Sequence, residues 1–425
     1  MTAFRQAPLR PSGWLVAAVT LTACGELWGP AKVTVVGTVV DGARLPQGGA
    51  TVLVAGRDLV TTDADGRFAL KEVTKPYDVT AVTSDGRAAV TYLGLSRPDP
   101  TLLLPVASFP ASLQRYGDVT GTVTGGAGFP QPGNHRAAVV FLSPEAVRQG
   151  VVSGTDGSYR LSPRWLGPSA TVGSLQALQW EYDPATNLPV RYTGYGARTG
   201  ATVMDGGSLF GQDLQLAPVG TGALTGSVTL PPGAVLVGKS VSLVIGTLSG
   251  GAALWALFQD TVKALGFSYA APEVPGEGIQ VSALATMGEA RVEAGKLLAS
   301  ASASGVTVTL PPVVELGQPA EGAPDVGAGT RLTWNRINHA VYVIQLGPMT
   351  AGPTYWIFTA DTTTTIPDLT AVGAGLPAGA AYSWAVLALT PFDDLNQAAG
   401  PANVATTGDW TTSVSATRHL TMAVP

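Results

Sequence analysis

The sequence predicts an all-β chain built as tandem β-sandwich modules, on three observations. Gly and Pro are abundant, 53 and 32 of 425 residues, and both break helix interiors. Short alternating apolar and polar runs recur at close spacing with turn residues between them, the pattern of half-buried strands. Three of these runs also open alike, each with a glycine at its middle. They are Val35-Val36-Gly37-Thr38-Val39-Val40, Val119-Thr120-Gly121-Thr122-Val123-Thr124 and Leu224-Thr225-Gly226-Ser227-Val228-Thr229-Leu230. Composition excludes other classes. Charged residues are 12 % and hydrophobic ones 45 %, which does not suit a charge-driven disordered chain. A net charge of −5 with no basic domain argues against a nucleic-acid partner. One Cys and three His leave no disulfide framework and no Cys/His metal cluster.

At the N-terminus, residues 1–23 read as a secretion signal. Arg5 and Arg10 supply positive charge without an acid, and 14–23 is an apolar run too short to span a bilayer. The run ends in Leu21-Thr22-Ala23-Cys24. This tetrapeptide resembles the lipobox of bacterial lipoproteins. The resemblance implies cleavage before Cys24, a diacylglycerol on its thiol, and 24–32 as a lipidated tether. Two acyl chains hold a protein at a membrane stably. Gly25 stands where an Asp would imply retention at the inner membrane, so the resemblance implies an outer-membrane or cell-surface location.

The body follows in order. In 33–105 the first strand is followed by an apolar strand at 51–55, and then by Asp63-Ala64-Asp65-Gly66-Arg67-Phe68, read as a tight hairpin. A further strand opens at Tyr77-Asp78-Val79-Thr80-Ala81. The segment 117–217 repeats this with Thr155-Asp156-Gly157-Ser158-Tyr159. In both, the aromatic two residues after the Gly returns to the buried face by period-2 alternation. The segment 222–312 has the first strand and Ile279-Gln280-Val281-Ser282-Ala283 but lacks the Asp-Gly turn. These motifs resemble the carboxypeptidase regulatory-like domain, a prealbumin-like seven-strand sandwich, most fully over 33–105 and least over 222–312. The third copy carries an insertion, 252–265. Its Leu254, Leu257, Phe258, Val262 and Leu265 fit one helical face, so an amphipathic helix is expected there.

The last segment, 313–425, has a different pattern. Strands are expected around Trp334, at Ala340-Val341-Tyr342-Val343-Ile344-Gln345-Leu346, at Tyr355-Trp356-Ile357-Phe358-Thr359 and around Trp384. This order resembles a fibronectin type III domain, an immunoglobulin-like sandwich. Trp334 takes the place of its core Trp. Leu376, Gly379 and Tyr382 take the place of its tyrosine corner, which implies a Tyr382 hydroxyl bonded to backbone a few residues upstream. A long polar connection, 391–409, precedes a final strand expected at 417–424.

Chemistry is sparse. His135, His339 and His419 are far apart, no G-x-S-x-G elbow occurs, and there is no P-loop or dinucleotide fingerprint. No cofactor, metal or catalytic residue is therefore assigned, and the chain is not expected to be an enzyme. Asp63 and Asp65 alternate as calcium ligands do, but the third acid and distal Glu are missing, so the hairpin reading is preferred. Some prealbumin-like modules carry a Lys–Asn cross-link. None of the three segments holds both a Lys and an Asn, so packing must supply their stability. Trp180, Tyr182, Tyr192 and Tyr195 form a loop-rich aromatic stretch that is the candidate binding surface. The expected function is a non-catalytic, lipid-anchored extracytoplasmic protein, a structural or adhesion module with a protein or glycan ligand. The alternative is a carbohydrate-binding surface lipoprotein using those aromatics.

Overall fold

The computed structural model describes residues 32–54, 59–105, 114–248, 251–401 and 408–424, the side chains of 247–248 and 251–252 excepted. The signal segment and the lipobox Leu21, Thr22, Ala23 and Cys24 lie outside the described residues. Nearly every described element is a strand. No described helix is long and apolar enough to cross a membrane.

The first module holds β1 (Lys32–Asp41), β2 (Thr51–Val54), β3 (Val60–Thr61), β4 (Arg67–Thr74), β5 (Tyr77–Val82), β6 (Ala88–Leu95) and β7 (Thr101–Leu104). One sheet runs β4-β1-β7, with β4 antiparallel and β7 parallel to β1. The facing sheet runs β3-β2-β5-β6. The second module holds β8 (Arg115–Tyr116), β9 (Asp118–Gly125), β10 (His135–Leu142), β11 (Val147–Val151), β12 (Ser158–Leu161), β13 (Arg164–Trp165), β14 (Ala170–Tyr182), β15 (Pro189–Met204), β16 (Ser208–Leu209) and β17 (Leu214–Leu216). Its sheets repeat the plan: β12 antiparallel and β16 and β17 parallel to β9, facing β11-β10-β14-β15.

The third module holds β18 (Gly220–Thr229), β19 (Val235–Leu248), β20 (Gly251–Asp260), β21 (Gly266–Glu273), β22 (Gly278–Met287), β23 (Ala290–Leu298) and β24 (Ala303–Thr309). Its sheets are β21-β18-β24 and β20-β19-β22-β23, the same plan again. One register detail ties the three copies together. The central glycine of each first strand faces an aromatic across the ladder: Gly37 opposite Phe68, Gly121 opposite Tyr159, Gly226 opposite Phe267. The ring lies over the space a side chain would fill. A Cβ on Gly37 would sit 2.4 Å from Phe68 Cζ, and one on Gly226 would sit 2.7 Å from Phe267 Cζ. The Asp-Gly turns close the first two hairpins, with Gly66 at φ 69° and Gly157 at φ 74°, where a side chain is strained.

The expected helix over 252–265 is corrected: 252–260 lie in edge strand β20, paired antiparallel with β19, and 261–265 form the connection to β21. The strand's buried apolar residues are Ala253 and Trp255, with Leu254 exposed between them, which is period 2. Beyond that a bulge intervenes. Val241 faces Phe258 while Ser242 faces Ala256, so Leu257 is an extra residue in the ladder. The bulge puts two apolar residues in succession and imitates a helical spacing.

The last module holds β25 (Ala323–Val326), β26 (Arg331–Thr333), β27 (Val341–Pro348), β28 (Thr354–Thr359), β29 (Thr363–Thr365), β30 (Ala381–Thr390), α1 (Leu395–Ala398), β31 (Trp410–Val414) and β32 (Arg418–Met422). Trp334, Tyr342, Tyr382 and Trp384 are buried in its core. The tyrosine-corner bond is corrected. The Tyr382 hydroxyl donates to the Pro353 carbonyl, 3.0 Å away and 29 residues upstream. Tyr382 pairs with Pro348 at the end of β27, which aims its ring at the β27–β28 loop. Within the described part of the polar connection there is one short helix. Asp394 caps α1 by accepting from the Gln397 N–H at 3.1 Å, and Trp410 opens an additional strand, β31.

The first, third and last modules are fused by their edges rather than strung apart. A single sheet of fourteen strands runs β20-β19-β22-β23-β31-β30-β27-β28-β6-β5-β2-β3, with β25 and β32 attached to one side. The last module therefore lies between the third and the first. β31 pairs with β23 of the third module and with β30 of its own. β28 pairs in parallel with β6 of the first, where Phe358 stacks on Tyr92 at 4.4 Å.

Candidate functional site

The predicted aromatics sit on the β14–β15 hairpin of the second module. Odd positions of β14 face that module's own core, as Leu175 and Ala177 do. Leu178 on the other face packs into the core of the third module, joined by Tyr192 from β15. Trp180 and Tyr195 are half-buried against the same core. Tyr192 is 2 % exposed, and its backbone N–H donates to Thr221 Oγ1 at 2.8 Å, tying β15 to β18. Burial pushes the Tyr192 hydroxyl up, and it has no partner among the described residues. Burial first, and the nearby Glu277 charge second, push the Tyr195 hydroxyl up to about 12. Tyr182 lies further out, with the Arg136 guanidinium 3.9 Å above its ring centroid, a cation–π contact. Trp180, Tyr192 and Tyr195 are thus brought together at the seam between two modules, with Tyr182 outside it, and Tyr192 keeps no open ring face for a sugar.

The other singled-out polar groups have local partners. Asp63 Oδ1 accepts from the Asp65 and Arg67 N–H groups at 3.0 and 2.8 Å, which is turn chemistry. His339 Nδ1 is 3.2 Å from Asp393 Oδ1, and His419 Nδ1 is 2.8 Å from Glu321 Oε1, all exposed. Among the described residues no group of three or more His, Cys, Asp or Glu is placed to hold a metal.

Two features were not visible in sequence. The first is an open groove of about 710 Å³ between the first and last modules, lined by Asp78, Thr80, Arg331, Asp361, Thr363 and Asp368. Asp78 accepts from the Gly94 N–H at 2.7 Å. Hydrogen bonds from Thr370 hold the Asp368 carboxyl below the usual range. The groove offers carboxylates and hydroxyls to a polar ligand. It holds no histidine and no nucleophile paired with a base.

The second is a buried polar cluster in the third module. Lys239 Nζ lies 3.2 Å from Asp260 Oδ2, with side chains 1 % and 8 % exposed. The ammonium also donates to the Val262 and Ala264 carbonyls, both at 2.8 Å. The Tyr269 hydroxyl donates to Asp260. Burial opposes the Asp260 charge, but hydrogen bonds from Tyr269, Val262 and Lys239 together hold its carboxyl below the usual range. Every donor of Lys239 is engaged, so the cluster is a fastener for the β20–β21 connection.

No family model matches the chain, and no curated protein matches it. Solved structures do. The FN1–FN3 domains of chicken CNTN1 are 12 % identical, over 69 % of this chain and 93 % of that one, with a TM-score of 0.18. A leucine-rich repeat protein from Bacteroides thetaiotaomicron is 10 % identical over 46 % of this chain and 26 % of its own, with a TM-score of 0.16. BcpA, the major pilin subunit of Bacillus cereus, is 8 % identical over 66 % and 99 %, with a TM-score of 0.13.

Proposed function

We propose that this chain is a non-catalytic scaffold, anchored by lipid on Cys24 and held outside the cytoplasm at an outer membrane or cell surface. The observation that carries the scaffold reading is the shared sheet. Edge pairing at β23–β31 and β6–β28 makes the first, third and last modules one continuous sheet instead of beads on flexible joints. Such a body suits a structural or adhesion role, with a protein or glycan partner met at an inter-module surface such as the Asp- and Thr-lined groove. Lipid anchoring rests on Leu21-Thr22-Ala23-Cys24 and on Cys24 being the chain's only cysteine. Palmitate labelling tests it: the wild type is expected to label and Cys24→Ala to lose the label. Labelling that persists in Cys24→Ala, or is absent from the wild type, refutes the anchor. Protease shaving of intact cells then tests which side the body faces.

A further inference from the structure

The three related modules place equivalent strands at the outer edge of equivalent sheets: β3 in the first, β11 in the second and β20 in the third. This strand is two, five and ten residues long. The opposite edge of each sheet is engaged within the chain. β6 pairs with β28, β23 with β31, and β15 packs on the third module through Tyr192. The outer edge is thus the side left for something else.

A strand edge presents unpaired N–H and C=O groups, which proteins commonly protect by brevity, charge or proline. β3 is brief, and β11 carries an exposed Arg148. β20 has neither brevity nor an exposed charge, and only its bulge at Leu257 interrupts the edge. Its first nine residues, Gly251 to Gln259, contain no charge and no proline. Leu254 and Ala256 are exposed on its outer face, and among the described strands only β19 pairs with it. Asp260, its single charge, is buried and neutralised by Lys239, and the Lys239 clasp fixes the strand's far end.

We infer that β20 is a self-association edge: β20 of a second copy pairs with it antiparallel about a two-fold axis and continues the sheet from one molecule into the next. A second copy is the occupant for two reasons. The chain already builds its sheet across two module boundaries by joining edge to edge, so the same interface type continues outward. An uncharged strand also meets its own copy without like charges opposed, as an isologous contact requires.

The test uses the full chain carrying Cys24→Ala, which removes lipid and thiol together. Sedimentation equilibrium over a concentration series is expected to show a species of twice the 43.2 kDa chain mass; a monomer throughout overturns the inference. Ala256→Lys sets like charges beside one another at the paired edges and is expected to weaken the dimer by about tenfold or more. Leu254→Lys should do the same, and both should leave the circular dichroism and melting midpoint unchanged because these side chains face solvent. A dimer of undiminished strength in both folded variants overturns the assignment to β20.

Discussion

The first and third modules share a strand plan but are held together differently. In the first, the Asp-Gly hairpin and the Gly37–Phe68 pair close a compact sandwich whose outer strand is two residues long. In the third, the Asp-Gly turn is replaced by a connection without that motif, the outer strand reaches ten residues, and a buried Lys239–Asp260–Tyr269 cluster pins that connection. The glycine–aromatic pair is common to both. It belongs to the plan itself, whereas the buried ion pair belongs to the elongated edge.

The strongest test of this contrast is Lys239→Met. It leaves Asp260 buried without its partner and is expected to cost about 3–5 kcal/mol in urea unfolding. A loss below 1 kcal/mol, on the scale of a surface change, would mean that the edge needs no clasp. Gly226→Ala comes next. Its Cβ would lie 2.0 Å from the Val306 carbonyl oxygen, so a loss of about 3 kcal/mol is expected. Gly37→Ala, whose Cβ would meet Phe68 Cζ at 2.4 Å and Pro100 O at 2.6 Å, should cost about 1–3 kcal/mol. Gly133→Ala opens onto free space and should stay within about 0.5 kcal/mol. If all three substitutions were equally mild, the pairing rule common to the modules would fall.

A smaller effect probes the seam between the third and last modules. The buried Ser413 Oγ accepts from the Val314 N–H at 2.9 Å, so Ser413→Ala should cost about 1–2 kcal/mol by leaving that donor unpaired, read from the thermal midpoint. The mildest test is pH, and the two modules should respond with opposite sign. Asp260 is held below its ordinary pKa, so its stabilisation is present at neutral pH and is lost as acid titrates it below about pH 4. Asp41 at the end of β1 is raised by burial, against hydrogen bonds from Leu45 and Ala43. The folded first module therefore takes up a proton more readily and gains relative stability as pH falls through that raised value. Amide exchange between pH 7 and 3 should show weakening protection in β19 to β21 and none of that trend in β1; parallel behaviour would dissolve the distinction.

Period-2 alternation and turn residues made the strands and the three related openings legible, because faces and turns are local properties. Gly37, Gly121 and Gly226 could be seen in sequence, as could Phe68 and Tyr159, but their facing registers come from pairing. Leu257 hid β20, because one bulged residue turns alternation into an apparent helical face. Sheet fusion was illegible for a different reason: alternation says which face of β6 or β23 is buried, not which strand joins its edge. The aromatic stretch from Trp180 to Tyr195 was noticed as surface chemistry. It is a seam because the neighbour that covers it, β18 onward, is a separate module in sequence.

The strand that joins the third module's part of the fourteen-stranded sheet to the rest, β31, is made long after its partner β23. Until 410–414 emerge, β23 of the third module and β30 of the last have no common neighbour, and β6 waits for β28 across most of the chain's length. Pairings that distant in sequence form slowly. The modules can therefore mature one by one while the assembled body cannot, and losing β31 would unhook the third module from the last while leaving the β6–β28 joint in place.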